Sequence, residues 1–210
     1  MFLVCNERPA ISFKRDALTV IEEDFPLPEA NWPAREVDKW LKIKRGLIAV
    51  RDLTPAHVML VDADDCVHRD LAAVVAKSPE AHGWIFDRGY THVEGTRWVV
   101  RKTEFHRYCG SSAIVRLALS DLPSALSEPV HSYFRLTKGH TTIADFMRTR
   151  GTPLAALPFA GTIYIIHHDN ISGDGLLRWQ SKKTFLKELV NTRPVTRMVR
   201  QNFGLYDLSK

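Results

Sequence analysis

A single α/β domain, built on a mixed and mostly parallel sheet flanked by helices, is the fold class this sequence predicts. Short β-branched apolar runs alternate along the chain with stretches of helical periodicity. One such run, Val58-Met59-Leu60-Val61, reads straight into Asp62-Ala63-Asp64-Asp65, as a buried strand does when it delivers ligand-binding groups to the carboxyl edge of an open α/β sheet. The chain is also long enough to bury a full core, with 210 residues, 45% apolar and 25% charged.

Phe2–Cys5 reads as the first strand, and an irregular stretch with Pro26, Pro28 and Pro33 follows. Val37, Trp40, Leu41, Leu47 and Ile48 then recur at helical spacing. The strand Val58–Val61 comes next, and Leu71, Val74 and Val75 mark a helix that stops by Ser78-Pro79, since a residue preceding proline is driven out of the helical region. Gly83–Phe86 and Arg97–Val100 are strand-like runs around a turn at Glu94-Gly95. Ala113–Leu117 is a further strand. Ile143, Phe146 and Met147 define a short helix with Gly151 as its stop. Thr162–Ile166 is a β-branched strand leading into His167-His168-Asp169-Asn170. No repeat or low-complexity tract interrupts this order. Residues 1–170 are therefore expected to form the domain, with 171–210 as a basic, amphipathic helical extension.

Composition narrows the function. The N-terminal sequence has no basic region and too short an apolar run for a signal peptide, and no stretch approaches the ~18 apolar residues of a membrane span. Cys5, Cys66 and Cys109 are odd in number and never paired as C-x-x-C, which predicts free thiols in a reducing cytoplasm. The net charge of +5 resides wholly in residues 171–210, where eight basic residues outnumber three acids. Phe185, Leu186, Leu189 and Val190 lie among those charges, so the segment suits either peripheral contact with an anionic membrane face or a core-packed helix with a solvated basic side. Nucleic acid is not expected, because no aromatic platform or known binding motif accompanies the bases.

Three clustered carboxylates exceed what capping the next helix requires, since one cap uses one Asp. An Asp-x-Asp spacing suits a hard divalent cation that takes oxygen ligands and shares them with substrate phosphates. A second acid-and-histidine cluster begins at His167, about 100 residues on, and it too follows a predicted strand. If both strands reach one sheet edge, His167 or Asp169 completes a metal shell begun by Asp62 and Asp64. An incidental strand-end histidine is the competing reading.

Val61-Asp62-Ala63-Asp64-Asp65 followed by a helix resembles the DxD element of GT-A fold glycosyltransferases, which use nucleotide-sugar donors. Further segments resemble a bacterial-type group related to glycosyltransferase family 2: Asp38-Lys39-Trp40-Leu41-Lys42, Gly83 to Tyr90, Cys109 to Val115, Gly139-His140, and His167 to Ser172. The resemblance is scattered over residues 1–173 and leaves the basic tail outside it. It implies transfer of a sugar from a UDP- or GDP-linked donor to a saccharide or lipid-linked glycan acceptor, with Mn2+ or Mg2+ as cofactor. It further implies that Asp64 holds the metal and that Asp62 lies nearby and touches the ribose. Gly110 and Ser111 would then face the donor. Lys39 and Lys42 lie one turn apart on one helix face, which suits either contact with phosphate oxygens or a plain solvated face. Asp145 stands where related inverting enzymes place the base, with His140 as the other candidate. Relative to that family the chain starts one βα unit late, which leaves nucleobase contacts to Asn6 and Glu7. Two alternatives stay open. One is a truncated, non-catalytic GT-A domain that binds nucleotide or sugar. The other is a haloacid dehalogenase-like phosphatase with Asp62 as nucleophile, although Cys66 occupies the position where that pattern usually has Thr or Val.

Overall fold

A computed structural model of the chain describes residues 1–10, 17–54, 56–128, 140–167 and 188–205. The chain is α/β, with parallel and antiparallel strand pairs flanked by helices. It separates into two compact units, Met1–Ala56 with Leu117–Thr137 and His57–Arg116 with Lys138–Lys210. The expected boundary at residue 170 lies outside the described residues.

In the first unit, β1 (Phe2–Cys5) and β2 (Thr19–Glu22) pair in parallel, with Phe2 opposite Thr19. The long helix α1 (Trp32–Val50) begins where the Asn31 side chain accepts the Ala34 N–H at 2.9 Å and Pro33 fills the first turn, whose N–H groups have no helical partner. Trp40, Lys44, Leu47 and Val50 recur every three or four residues and form its buried stripe. Lys44 is the unexpected member. Its stem is buried, and its ammonium donates to the carbonyls of Leu126 and Glu128, both at 2.7 Å. Arg51, just past the helix, likewise donates to the Leu122 carbonyl at 2.9 Å.

The second unit carries two sheets. In chain order its elements are β3 (Ala56–Met59), β4 (Cys66–Val67), α2 (Leu71–Lys77), β5 (Gly83–Ile85), β6 (Arg88–Val93), β7 (Trp98–Thr103) and β8 (Ala113–Leu117). There follow α3 (Ile143–Thr149), β9 (Ala155–Ala156), β10 (Thr162–Ile166), β11 (Thr192–Pro194) and α4 (Arg197–Phe203). One sheet runs β3-β8-β5-β9 and the other β11-β7-β6-β10-β4. Phe86, Phe105, Leu157, Tyr164 and Ile166 form a cluster with Leu71, Trp84, Cys109 and Ile114. Gly161 enters β10 through the densest part of this core: a Cβ there would lie 2.4 Å from the Phe86 ring and 2.7 Å from Leu157.

Phe2–Cys5, Ala113–Leu117 and Thr162–Ile166 are strands over the expected residues. The α3 stop is also as expected: Gly151 adopts φ +81°, a left-handed conformation that favours glycine, while the Thr152 N–H reaches back to the Met147 carbonyl at 2.9 Å. Among the described residues the strand pairs do not show a preponderance of parallel pairing. β1·β2, β6·β10 and β5·β9 are parallel, whereas β4·β10, β7·β11, β5·β8 and β6·β7 are antiparallel. The physical reason is the tight turn at Glu94-Gly95, which folds β6 and β7 into a hairpin and so fixes them antiparallel. The acid-bearing strand ends two residues earlier than expected, at Met59, because Leu60 and Val61 leave the ladder before the acids. No helix among the described residues is long and apolar enough to cross a membrane.

Candidate functional site

The acids that follow β3 form a tight turn, closed by the Asp65 N–H donating to the Asp62 carbonyl at 3.0 Å. Two further segments meet this turn. From the 109–112 loop, the Ser111 hydroxyl oxygen accepts the Asp62 N–H at 2.9 Å, and the Cys109 thiol donates to Asp65 Oδ2 at 3.2 Å. From the end of β10, His167 Nε2 stands 3.2 Å from Asp64 Oδ2. The β10 strand itself holds the loop, since the buried Thr162 hydroxyl donates to the Ser111 carbonyl at 2.6 Å. Side chains on a strand alternate, so Thr162, Tyr164 and Ile166 share one face. Residues 62–65, 109–111 and 162–167 are thus assembled into one cluster inside the second unit.

The electrostatics divide the three acids by role. Asp65 is half-buried with its Oδ1 sealed from water, and burial pushes its carboxyl up to about 6, with Asp62 and Asp64 adding to the rise while Ser111 and Cys109 oppose it. Its Oδ1 is buried with no hydrogen-bond partner. Burial also pushes the Cys109 thiol far up, and the adjacent Asp65 carboxylate adds to that, so Cys109 is a neutral donor rather than a nucleophile. The Tyr164 hydroxyl is pushed up to about 12, first by burial and then by the charges of Asp65, Asp64 and Asp62. Asp64 and His167 are the open pair, with side chains 35% and 22% exposed. Gly110 lies beside Asp62, where even a methyl group would be 3.5 Å from the carboxylate, and glycine leaves that side of Asp62 accessible.

The Asp64–His167 pair bears on the expected metal. Adjacent ligands of an octahedral cation, each about 2.1 Å from the ion, stand roughly 3 Å apart, close to the separation of these two donor atoms. One carboxylate oxygen and one imidazole nitrogen suit Mn2+ better than the oxygen-seeking Mg2+, with diphosphate oxygens and water in the remaining positions. Among the described residues no group of three His, Cys, Asp or Glu side chains is placed to hold an ion.

The other expected site residues sit as follows. Asn6 donates through its side-chain amide to the Phe25 carbonyl at 2.7 Å, and Glu7 is exposed. Lys42 is held by Asp38 one turn back, at 2.7 Å, so the ammonium expected to reach phosphate already has a carboxylate partner; Lys39 is half-buried on the same helix. Both belong to the first unit. Asp145 is an exposed residue in the first turn of α3, paired with Arg148 on its own helix, and His140 is half-buried in the turn before it. Gly139, His168, Asp169, Asn170 and the basic residues from Arg178 to Lys187 lie outside the described residues. Sequence reasoning missed Tyr164 and the pairing of Cys109 with Asp65. The alternation of Thr162, Tyr164 and Ile166 along β10 was the available signal for the first; nothing in the sequence points to the second. Comparison with family models, with curated proteins and with solved structures finds no match to this chain.

Proposed function

We propose that the chain is a metal-dependent glycosyltransferase that takes a UDP- or GDP-linked sugar as donor and a saccharide or lipid-linked glycan as acceptor, working in a reducing cytoplasm. One observation carries this proposal. Three segments singled out in the sequence for donor and metal chemistry, around Asp62–Asp64, Gly110-Ser111 and His167, share one site although they are far apart in the chain.

Each residue has a task in sugar transfer. Breaking the bond between the anomeric carbon and the diphosphate leaves negative charge on the departing phosphate and positive character on the carbon. Asp64 and His167 would hold the cation, which when bound acts as a Lewis acid on the diphosphate oxygens. A cation held there would take the neutral imidazole nitrogen that faces Asp64. Asp62, its backbone fixed by Ser111, is oriented for the ribose hydroxyls, and Gly110 leaves room for the donor against that carboxylate. Asp65, buried behind them with Cys109 and Tyr164, braces the turn rather than meeting substrate. A preorganised turn of this kind needs little rearrangement as charge develops.

Calorimetric titration of the purified chain with UDP and with GDP, each with and without Mn2+, tests the proposal. Binding of one nucleotide that requires the metal is expected. Absence of binding under all four conditions would overturn it in favour of a non-catalytic domain.

A further inference from the structure

A second region is built for contact with something other than a nucleotide. The segment 188–198 is fixed along β7, the strand beside the edge of the five-stranded sheet. Glu188 is ion-paired with Lys102, Thr192–Pro194 pairs antiparallel with Trp98–Val100, and the Val195 N–H donates to the Arg97 carbonyl at 2.9 Å. Four large apolar side chains nevertheless face water there: Trp98 is 54% exposed, Leu189 59%, Val190 70% and Met198 68%. Leu189, Val190 and Met198 lie within ten residues of one another, and the pairing of Trp98 with Pro194 brings the indole to the same segment; apolar groups this exposed and gathered in this way mark an interaction surface. Arg97, Arg193 and Arg197 are exposed among them. Arg193 is anchored in place, donating to the carbonyls of Val190 and Thr192 at 2.7 and 2.8 Å. The nearest acid on the segment, Glu188, is already neutralised by Lys102.

From this juxtaposition we infer that the β7–β11 edge, with its exposed Trp98, Leu189, Val190 and Met198 set among Arg97, Arg193 and Arg197, docks on an anionic lipid bilayer. Aliphatic side chains gain by entering hydrocarbon, an indole settles at the headgroup level, and guanidinium groups gain from anionic headgroups. A protein strand adding to the sheet is disfavoured, because the edge strand β11 ends in Pro194, which has no N–H to offer. Duplex nucleic acid would engage the arginines through its phosphates but has no use for exposed Leu189, Val190 and Met198, and single strands need aromatic platforms that these aliphatic groups do not offer. Leu189, Val190, Arg193 and Arg197 belong to the basic 171–210 segment for which the sequence left membrane contact open, and Arg97 and Trp98 join them from the start of β7; the inference does not rest on the glycosyltransferase proposal.

The test is co-sedimentation of the full chain with phosphatidylcholine vesicles, with and without phosphatidylglycerol. Binding that requires the anionic lipid and weakens with salt is expected. A basic residue near such a surface is worth about fivefold in partitioning, so Arg193→Gln combined with Arg197→Gln should lower the partition coefficient about 25-fold. A second variant, Trp98→Ser with Leu189→Ser and Met198→Ser, should leave the protein in the supernatant. Both alter exposed positions, and an unchanged melting curve shows that the fold is kept. Wild-type protein that stays in solution overturns the inference. So does equal binding to neutral vesicles, unaltered binding by both variants, or retention by duplex DNA in place of vesicles.

Discussion

Asp65 provides a sharp test of how the acid turn is built. Its carboxyl lies at about 6 rather than 3.8, chiefly because it is buried, and Oδ1 has no partner. A shift of about two units corresponds to about 3 kcal/mol between its two protonation states. The folded chain therefore binds this proton more tightly than the unfolded chain does. The stability Asp65 contributes is fully present below pH 3.8 and is lost as pH rises through about 6. Asp65→Asn keeps the shape, and its amide oxygen can still accept the Cys109 thiol, but the group no longer titrates. The stability of the variant relative to wild type should consequently rise by about 2 kcal/mol between pH 4.5 and 7.5. For a chain of this size that is a change of roughly 4–8 °C in the difference between the two melting temperatures. Thermal melts of both proteins at several pH values, in buffer with a chelator, read this directly. A difference that stays constant across the range, or that moves the other way, would refute the placement of Asp65 as a buried, ionisable brace.

Two further predictions concern the packing that supports the two units. Gly161→Ala puts a methyl group against Phe86 and Leu157, which are 0% and 1% exposed and have nowhere to move, so a loss of about 1–3 kcal/mol is expected by urea denaturation; full wild-type stability would contradict the close approach. Lys44→Met preserves the buried stem but leaves the carbonyls of Leu126 and Glu128 without their donor. It should cost about 2 kcal/mol, measured by the same denaturation, and a neutral result would mean that the ammonium does not pin that segment.

How much of this was legible in the sequence depends on whether local pattern or distant contact decides each feature. Phe2–Cys5, Ala113–Leu117 and Thr162–Ile166 are strands where their β-branched runs predict them, and Gly151 ends α3 because the stop needs positive φ. The end of β3 was misplaced by two residues because Leu60 and Val61 are as apolar as their neighbours. What takes the chain out of the ladder there is a turn whose Asp62 N–H goes to Ser111, 49 residues away. The strand β6 was hidden by its composition, Arg88-Gly89-Tyr90-Thr91-His92-Val93, which lacks an apolar alternation. Its burial arises from β7 and β10 on either side, and His92 is satisfied by the Trp98 carbonyl at 2.8 Å. In the site, the acids and His167 announced themselves by type and position. Which acid is buried did not, because that depends on Cys109 and Tyr164 arriving from other segments. On α1, Lys42 was read for its charge alone, and its ion pair with Asp38 one turn earlier went unread.

The most direct test of the central claim is Mn2+ binding followed by electron paramagnetic resonance of the free ion, in the presence and absence of UDP or GDP, for wild type, Asp64→Ala and His167→Ala. Nucleotide-enhanced uptake of Mn2+ by the wild type is predicted, abolished by Asp64→Ala and weakened at least tenfold by His167→Ala, with all three proteins melting alike. Equal uptake by wild type and Asp64→Ala would contradict the claim that this turn holds a cation for a nucleotide-sugar donor.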